Sequence, residues 1–179
     1  MTRLTLALTA TGTALVIATP AGATAQVTAQ PTAQVTAEAT AGTATGGTFG
    51  PYGYRGVTLG MTAKQAKATG QIVLDLRDYC TRWHFTSRRP ARDRGGLYIS
   101  KKRGVAVIFA PTGVRTPRGI AVGSTLSQIK KAYPRVRKQI NGYSVPVPGN
   151  RKAFYHFGVN QRNKVEELIL GLNTQDCVS

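Results

Sequence analysis

The residues in this sequence with the clearest chemical potential are basic and lie close together. The group, called here the basic run, comprises Arg82, Arg88, Arg89, Arg92, Arg94, Lys101, Lys102 and Arg103. Arginine donates paired hydrogen bonds to phosphate and carboxylate, and a basic surface attracts polyanions by releasing their counterions. The basic run is therefore the predicted binding site, although a face that only keeps the protein in solution has the same composition.

Aromatic residues within the basic run allow two interpretations. Trp83 and Phe85 share one face of a predicted strand, where they either stack on a ligand or, as we favour, fill the core. The partner predicted for the basic run is an extracellular protein or an anionic polymer, such as a cell-wall polymer, a lipid headgroup surface or nucleic acid.

The two histidines, His84 and His156, suggest an alternative activity. With Glu166 or Glu167 they could supply the acid and base of a small basic hydrolase that cleaves a phosphodiester, as ribonucleases do. No spacing ties the pair, and the aromatic residues on both sides of His156 indicate sheet packing. Two histidines do not make a zinc site, and no phosphate loop or nucleophile elbow occurs, so no catalytic residue, metal or cofactor is predicted.

The only two cysteines, Cys80 and Cys177, are predicted to form a disulfide. In an exported protein this bond would tie the C-terminus to the first half of the chain. A catalytic thiol would need a neighbouring base and a reducing compartment, and the sequence indicates neither.

The N-terminal part of the chain reads as a targeting segment and a spacer. Residues 1–25 contain an early arginine, an apolar run and a series of small residues, which is typical of a secretory signal peptide. Residues 26–49 repeat Ala- and Thr-rich units with a single charge, so they cannot offset the entropy of folding and are predicted to be disordered. No later stretch is long enough to span a bilayer, and the protein is expected to be secreted.

Composition sets limits on the rest of the chain. The 179 residues include 24 Lys+Arg against 7 Asp+Glu, for a net charge of +17, and 41% of the residues are hydrophobic. That apolar fraction is enough to bury a core, so we predict one folded domain over residues 50–179.

The folded domain reads as two copies of one module, at about residues 54–112 and 117–179. The stretch 55–67 matches the stretch 118–130 in register at Arg, Gly, Thr, Gln and Lys, and the alternative is a chance match of short Gly- and Thr-containing runs. In each copy a threonine followed three residues later by a glutamine predicts a capping box that opens a helix.

After each predicted helix, the pattern of apolar residues changes from the helical period to the alternation that is typical of strands. The capping boxes are Thr62 with Gln65 and Thr125 with Gln128, and Gly70 and Pro134 are predicted to end the helices. The predicted strands cover residues 79–87, 96–100, 104–110, 137–147, 153–159 and 165–172. The predicted fold class is therefore α+β, with two tandem copies of a helix followed by an antiparallel β-meander and the helices on one face of the sheet.

These helix openings carry a family resemblance. The stretch Gly-Met-Thr-Ala-Lys-Gln-Ala at 60–66, and more weakly Gly-Ser-Thr-Leu-Ser-Gln-Ile at 123–129 followed by Tyr133 and Pro134, resembles the opening of small exported helix-and-sheet modules. These are the SmpA/OmlA-type outer-membrane assembly lipoproteins and the tandem β-lactamase inhibitory protein family. The resemblance implies a non-catalytic protein that grips another protein with a concave sheet face.

The chain departs from that family in two respects. The inhibitor family is disulfide-rich and uses an acidic hairpin, whereas this chain has one cysteine pair and a basic turn at residues 101–103. We therefore predict a secreted, non-enzymatic binding protein, expected to be a monomer, that recognises a protein or polyanionic partner at or beyond the cell envelope. The alternatives are the phosphodiester hydrolase and a wall-associated structural protein.

Overall fold

The computed structural model describes residues 47–86 and 96–178. The predicted leader and nearly all of the predicted spacer lie outside these residues, as do Arg88, Arg89, Arg92 and Arg94 of the basic run. Phe49, which the prediction placed in the disordered spacer, is completely buried. No helix in the described ranges is long and apolar enough to cross a membrane.

The described chain is dominated by strands. In chain order the elements are β1 (Gly53–Tyr54), β2 (Val57–Thr58), α1 (Ala63–Ala68), β3 (Ile72–Leu76), β4 (Cys80–Phe85), β5 (Gly96–Ser100), β6 (Gly104–Phe109), α2 (Leu126–Ala132), β7 (Arg137–Gln139), β8 (Gly142–Val147), β9 (Asn150–Val159) and β10 (Val165–Leu172). Strands β1 and β2 form a small hairpin. The other strands form one eight-stranded antiparallel sheet in the order β3-β4-β5-β6-β10-β9-β8-β7.

The predicted α+β fold of two tandem helix-plus-meander copies is wrong. The described chain is mostly β, because its two helices have only six and seven residues and eight strands belong to a single sheet. The reason lies in the middle of that sheet, where β6 pairs with β10 and places Ile108 opposite Leu170. Residues 105–108 and 168–171 are buried on both faces, as in central strands, so the two sets of strands join instead of forming separate modules.

Both predicted capping boxes are confirmed. The Thr62 hydroxyl accepts a hydrogen bond from the Gln65 amide at 3.3 Å, and the Gln65 Oε1 accepts one from the Thr62 amide at 2.9 Å. Thr125 and Gln128 make the same two bonds at 3.2 and 2.7 Å. Each pair satisfies two backbone donors that the first helical turn leaves without partners.

The strand predictions are confirmed in part. Strands β5 and β10 match the predicted ranges 96–100 and 165–172 residue for residue. The single strand predicted over 137–147 is instead the hairpin of β7 and β8. Strand β3 was not predicted, because it contains the exposed Asp75 and is interrupted by a bulge.

One hydrophobic core lies between the sheet and the two helices. Ala66 of α1 and Ile129 of α2 are completely buried in it. The sheet contributes Phe85, Leu97, Ile108, Tyr155, Phe157, Leu168 and Leu170. Trp83 also belongs to this core, which confirms the core interpretation of Trp83 and Phe85. Residues that alternate with these along the strands point to the other face of the sheet, called here the groove face.

Candidate functional site

The described part of the basic run divides between a turn and a strand. Lys101, Lys102 and Arg103, called here the basic turn, connect β5 to β6 and are all exposed. Arg82 lies on β4 opposite Tyr98 of β5. The structure therefore brings the three cations of the turn together, whereas a site that includes all eight residues of the basic run stays a prediction.

Arg82 already has an anionic partner within the chain. Its Nε donates to the Asp75 Oδ2 at 2.6 Å, which is the one ion pair among the described residues. This hydrogen bond is the main reason why the pKa of Arg82 is raised, with a smaller contribution from Tyr98. Because the Asp75 charge offsets its own, Arg82 attracts an external anion less strongly than the unpaired cations of the basic turn.

Ser100 fixes the backbone of the basic turn. Its Oγ accepts hydrogen bonds from the amides of Lys102 at 3.1 Å and Arg103 at 3.2 Å, and donates to the Asp176 Oδ2 at 3.1 Å. Ser100 is buried, so these bonds satisfy a hydroxyl that is shielded from water. The conformation of the basic turn is therefore fixed by hydrogen bonds to the folded domain.

A pocket of about 390 Å³ adjoins the basic turn. The turn's three cations line it together with Gly60, Thr62, Ala63, Thr81, Ile99, Ser100 and Gly104, and no acidic residue is among the described lining. Gly104 has a φ of 69°, and a Cβ there would collide with the Gly60 carbonyl, so glycine is required where the turn ends. The pocket therefore offers cations and hydrogen-bond donors to an anionic group.

The predicted disulfide is confirmed. Cys80 of β4 is bonded to Cys177, with 5.7 Å between their Cα atoms. The bond holds residues 173–178, called here the C-terminal segment, beside the sheet and so brings Asp176 to Ser100. These cysteines and Asp176 form the one metal-type cluster in the described chain, but disulfide sulfurs offer no thiolate to a metal.

A second depression, the open-face groove, has a volume of about 710 Å³ and lies on the groove face. The end of β7, the β7–β8 turn and the C-terminal segment contribute Gln139, Ile140, Asn141, Asn173, Gln175 and Val178 to its lining. The strands contribute Phe109, Ser144, Phe154, His156, Glu167 and Ile169. The described residues that line this groove include no lysine or arginine, so this lining differs in charge from that of the pocket at the basic turn.

Both ring nitrogens of His156 have hydrogen-bond partners in the open-face groove. Its Nε2 lies 3.2 Å from the Asn141 carbonyl oxygen, which can only accept, so Nε2 carries the proton. In the neutral ring Nδ1 then accepts from the Ser144 hydroxyl at 2.9 Å. Burial lowers the pKa of His156, although the hydrogen bond to Asn141 and the charge of Glu167 act in the opposite direction.

The two histidines of the predicted hydrolase do not meet. His84 lies on β4 and His156 on β9, with β5, β6 and β10 between them. Four strand spacings of about 4.8 Å place them roughly 19 Å apart across the sheet. This backbone separation counts against a shared role of the two histidines as acid and base on the same phosphodiester.

Sequence reasoning missed Ser100, Asp176, Ser144 and Asn141 as residues that position the sites. Their partners lie on other strands or across the disulfide, and strand register is not visible in a single sequence. The resemblance to exported helix-and-sheet modules also stays a prediction. A comparison of the chain with family models, curated proteins and solved structures finds no match.

Proposed function

We propose that this chain is a secreted binding protein that recognises an anionic partner through the basic turn. The observation that carries the proposal is the pocket beside the turn, where Lys101, Lys102 and Arg103 stand on a backbone fixed by Ser100. A turn that is already ordered loses little conformational entropy on binding. Less of the favourable electrostatic energy is therefore offset, and the affinity is higher than for a flexible turn.

The charge of the chain supports the same class of partner. The net charge is +17, and the acidic residues among the described ranges are Asp75, Asp78, Glu166, Glu167 and Asp176. Asp75 pairs with Arg82, and Asp176 accepts from Ser100. Long-range attraction of an anion is therefore largely unopposed, and binding is expected to weaken as salt is added.

Secretion is part of the proposal. The Cys80–Cys177 disulfide is compatible with an oxidising compartment, and the signal peptide remains a prediction for residues 1–25. Outside the cell, wall polymers, lipid headgroups, released nucleic acid and acidic proteins are the available anions. The hydrolase and wall-associated alternatives remain predictions, and the separation of His84 from His156 counts against the first.

The proposal is tested by removing the charge of the turn. The triple variant Lys101→Gln, Lys102→Gln and Arg103→Gln is compared with wild type in binding a fluorescent single-stranded oligonucleotide and a poly(glycerol phosphate) chain over a range of salt. We expect weaker binding, and a slope of log affinity against log salt that is smaller by about 2, because three counterion-releasing contacts are lost.

The matched control changes the same amount of charge elsewhere. Arg151→Gln, Lys152→Gln and Arg162→Gln alter three exposed residues on β9 and the β9–β10 turn. A loss of affinity in the basic-turn variant alone supports the basic turn as the binding site. If both variants lose the same affinity, the effect depends on net charge and not on the basic turn, and the proposal is overturned.

A further inference from the structure

The connection between β6 and α2 forms a second basic pocket, called here the loop pocket, with a volume of about 440 Å³. Its lining consists of Arg115, Arg118, Gly119, Ile120, Ser124, Gln128, Lys131 and Ala132. Three of these residues are cations, and none is acidic. The loop pocket does not share a residue with the basic turn, so it is a separate place for an anion.

The loop that carries the two arginines is a fixed part of the fold. Thr116 is buried, its amide donates to the Ile120 carbonyl at 2.8 Å, and its hydroxyl accepts from the Ile120 amide at 3.2 Å. The Arg115 carbonyl accepts from the Phe49 amide at 2.8 Å, and the Arg115 amide donates to the Gly47 carbonyl at 3.1 Å. The backbone on both sides of the pocket is therefore set before any ligand arrives.

Arg118 is oriented by α2. One of its Nη atoms donates to the Ala132 carbonyl, and its guanidinium carbon lies 5.2 Å from the centroid of the Tyr133 ring. Arg115 donates from one Nη to the Gly119 carbonyl at 3.4 Å. A guanidinium has five N–H donors, so each arginine keeps most of its donors for a ligand.

Neutral groups complete the donor set. The Gln128 Oε1 accepts from the Thr125 amide at 2.7 Å, which leaves the Gln128 amide nitrogen as a donor. The Ser124 Oγ accepts from the Ala121 amide at 3.0 Å, which leaves its proton available. Lys131, in the last turn of α2, adds an ammonium group. The described lining of the loop pocket thus presents guanidinium, ammonium, amide and hydroxyl donors and contains no carboxylate.

We infer that the loop pocket binds the phosphate group of a small ligand. Two guanidinium forks match the oxygens of a tetrahedral oxyanion, and charge-assisted hydrogen bonds of this kind are stronger than neutral ones. A volume of about 440 Å³ leaves room for an organic group attached to the phosphate. This site stands independently of the function proposed for the basic turn.

The inference is tested with the full chain lacking the predicted leader, by ¹⁵N NMR titration with phenyl phosphate and, separately, dimethyl phosphate. Total ionic strength is held constant with sodium chloride, so that screening does not change during the titration. We expect saturable shifts of the Ser124, Gln128 and Gly119 amides. Arg118→Gln should weaken binding by about tenfold or more, because it removes a charged hydrogen-bond donor.

Two further variants distinguish a loss of phosphate binding from a loss of folding in Arg118→Gln. Arg118 packs on Tyr133, so Lys131→Gln, which alters an exposed residue, should also weaken binding. Arg118→Lys should restore only part of the affinity, because it keeps the charge but loses the fork. Tighter binding of the monoester would identify a terminal phosphate, and tighter binding of the diester would identify a phosphodiester link.

The control is the triple variant of the basic turn, which should bind both phosphates normally. If no saturable shift occurs in wild type, or if Arg151→Gln weakens binding as much as Arg118→Gln, the loop pocket is not a phosphate site. Neither result depends on whether the basic turn binds a polymer, so the two proposals can fail separately.

Discussion

At the scale of single residues, His156 shows how burial and hydrogen bonding fix a protonation state. The Asn141 carbonyl requires a proton on Nε2, and in the neutral ring the Ser144 hydroxyl donates to Nδ1, so both ring nitrogens have partners without a charge on the ring. Burial adds a desolvation cost to the charged ring and lowers its pKa below the ordinary value of 6.5. The folded state therefore favours the neutral form of His156 over the charged form.

This lowered pKa predicts a pH dependence of stability. As the pH falls below about 6.5 the unfolded chain takes up a proton at His156 more readily than the folded chain, so the free energy of unfolding should decrease. The decrease should continue until the pH has passed below the folded pKa. Urea unfolding of wild type and His156→Gln between about pH 5 and 7.5 isolates this contribution. A stability difference that does not vary with pH would contradict the assignment.

At the scale of elements, the two short helices depend on their capping boxes. A helix of six or seven residues is too short to be stable alone in water, so its first turn needs its side-chain acceptors. The entry of α2 is also tied to the β9–β10 turn, because the Leu126 amide donates to the Asn163 carbonyl at 2.9 Å. The capping box of α2 therefore supports both the helix and a sheet connection.

Thr125→Ala is expected to lower the free energy of unfolding by about 1 kcal/mol, because it leaves the Gln128 amide without its acceptor. Ser127→Ala, at an exposed position of the same helix, serves as the control and should have little effect. Chemical denaturation followed by circular dichroism measures both variants. Equal destabilisation by the two changes would argue against the cap as the cause.

The features predictable from sequence were those that depend on near neighbours. Thr62 and Gln65 are three residues apart, and the basic turn separates two clear strands, so local spacing was sufficient for both. The pairing of β6 with β10 joins residues far apart in the chain, and no local pattern specifies it. The same limit applies to the sites. The three cations of the basic turn were named from the sequence, but the Ser100–Asp176 contact and the cations of the loop pocket were not.

At the scale of the whole molecule, the disulfide closes a long loop. Cys80 and Cys177 are 97 residues apart, so the bond restricts the unfolded chain strongly. We expect the double variant Cys80→Ser and Cys177→Ser to lose on the order of 4 kcal/mol of stability, or somewhat less if the unfolded chain keeps residual structure.

The same variant should release the C-terminal segment. Asn173, Gln175 and Val178 line one side of the open-face groove, so amide exchange in this segment should become faster than in β10. Urea denaturation and hydrogen exchange provide the two measurements. An unchanged unfolding midpoint would mean that the disulfide adds little to the stability of the fold.

The eight-stranded sheet is open, so its outer strands carry backbone groups that a neighbouring chain could pair with. One outer strand, β7, is only three residues long and carries Arg137 and Lys138, both exposed. The other, β3, contains a bulge and the exposed Asp75. Two molecules that approached through β7 would bring like charges together along a very short strand. The single wide sheet therefore has outer strands that are short or irregular, and both features disfavour edge-to-edge pairing with a second copy of the chain.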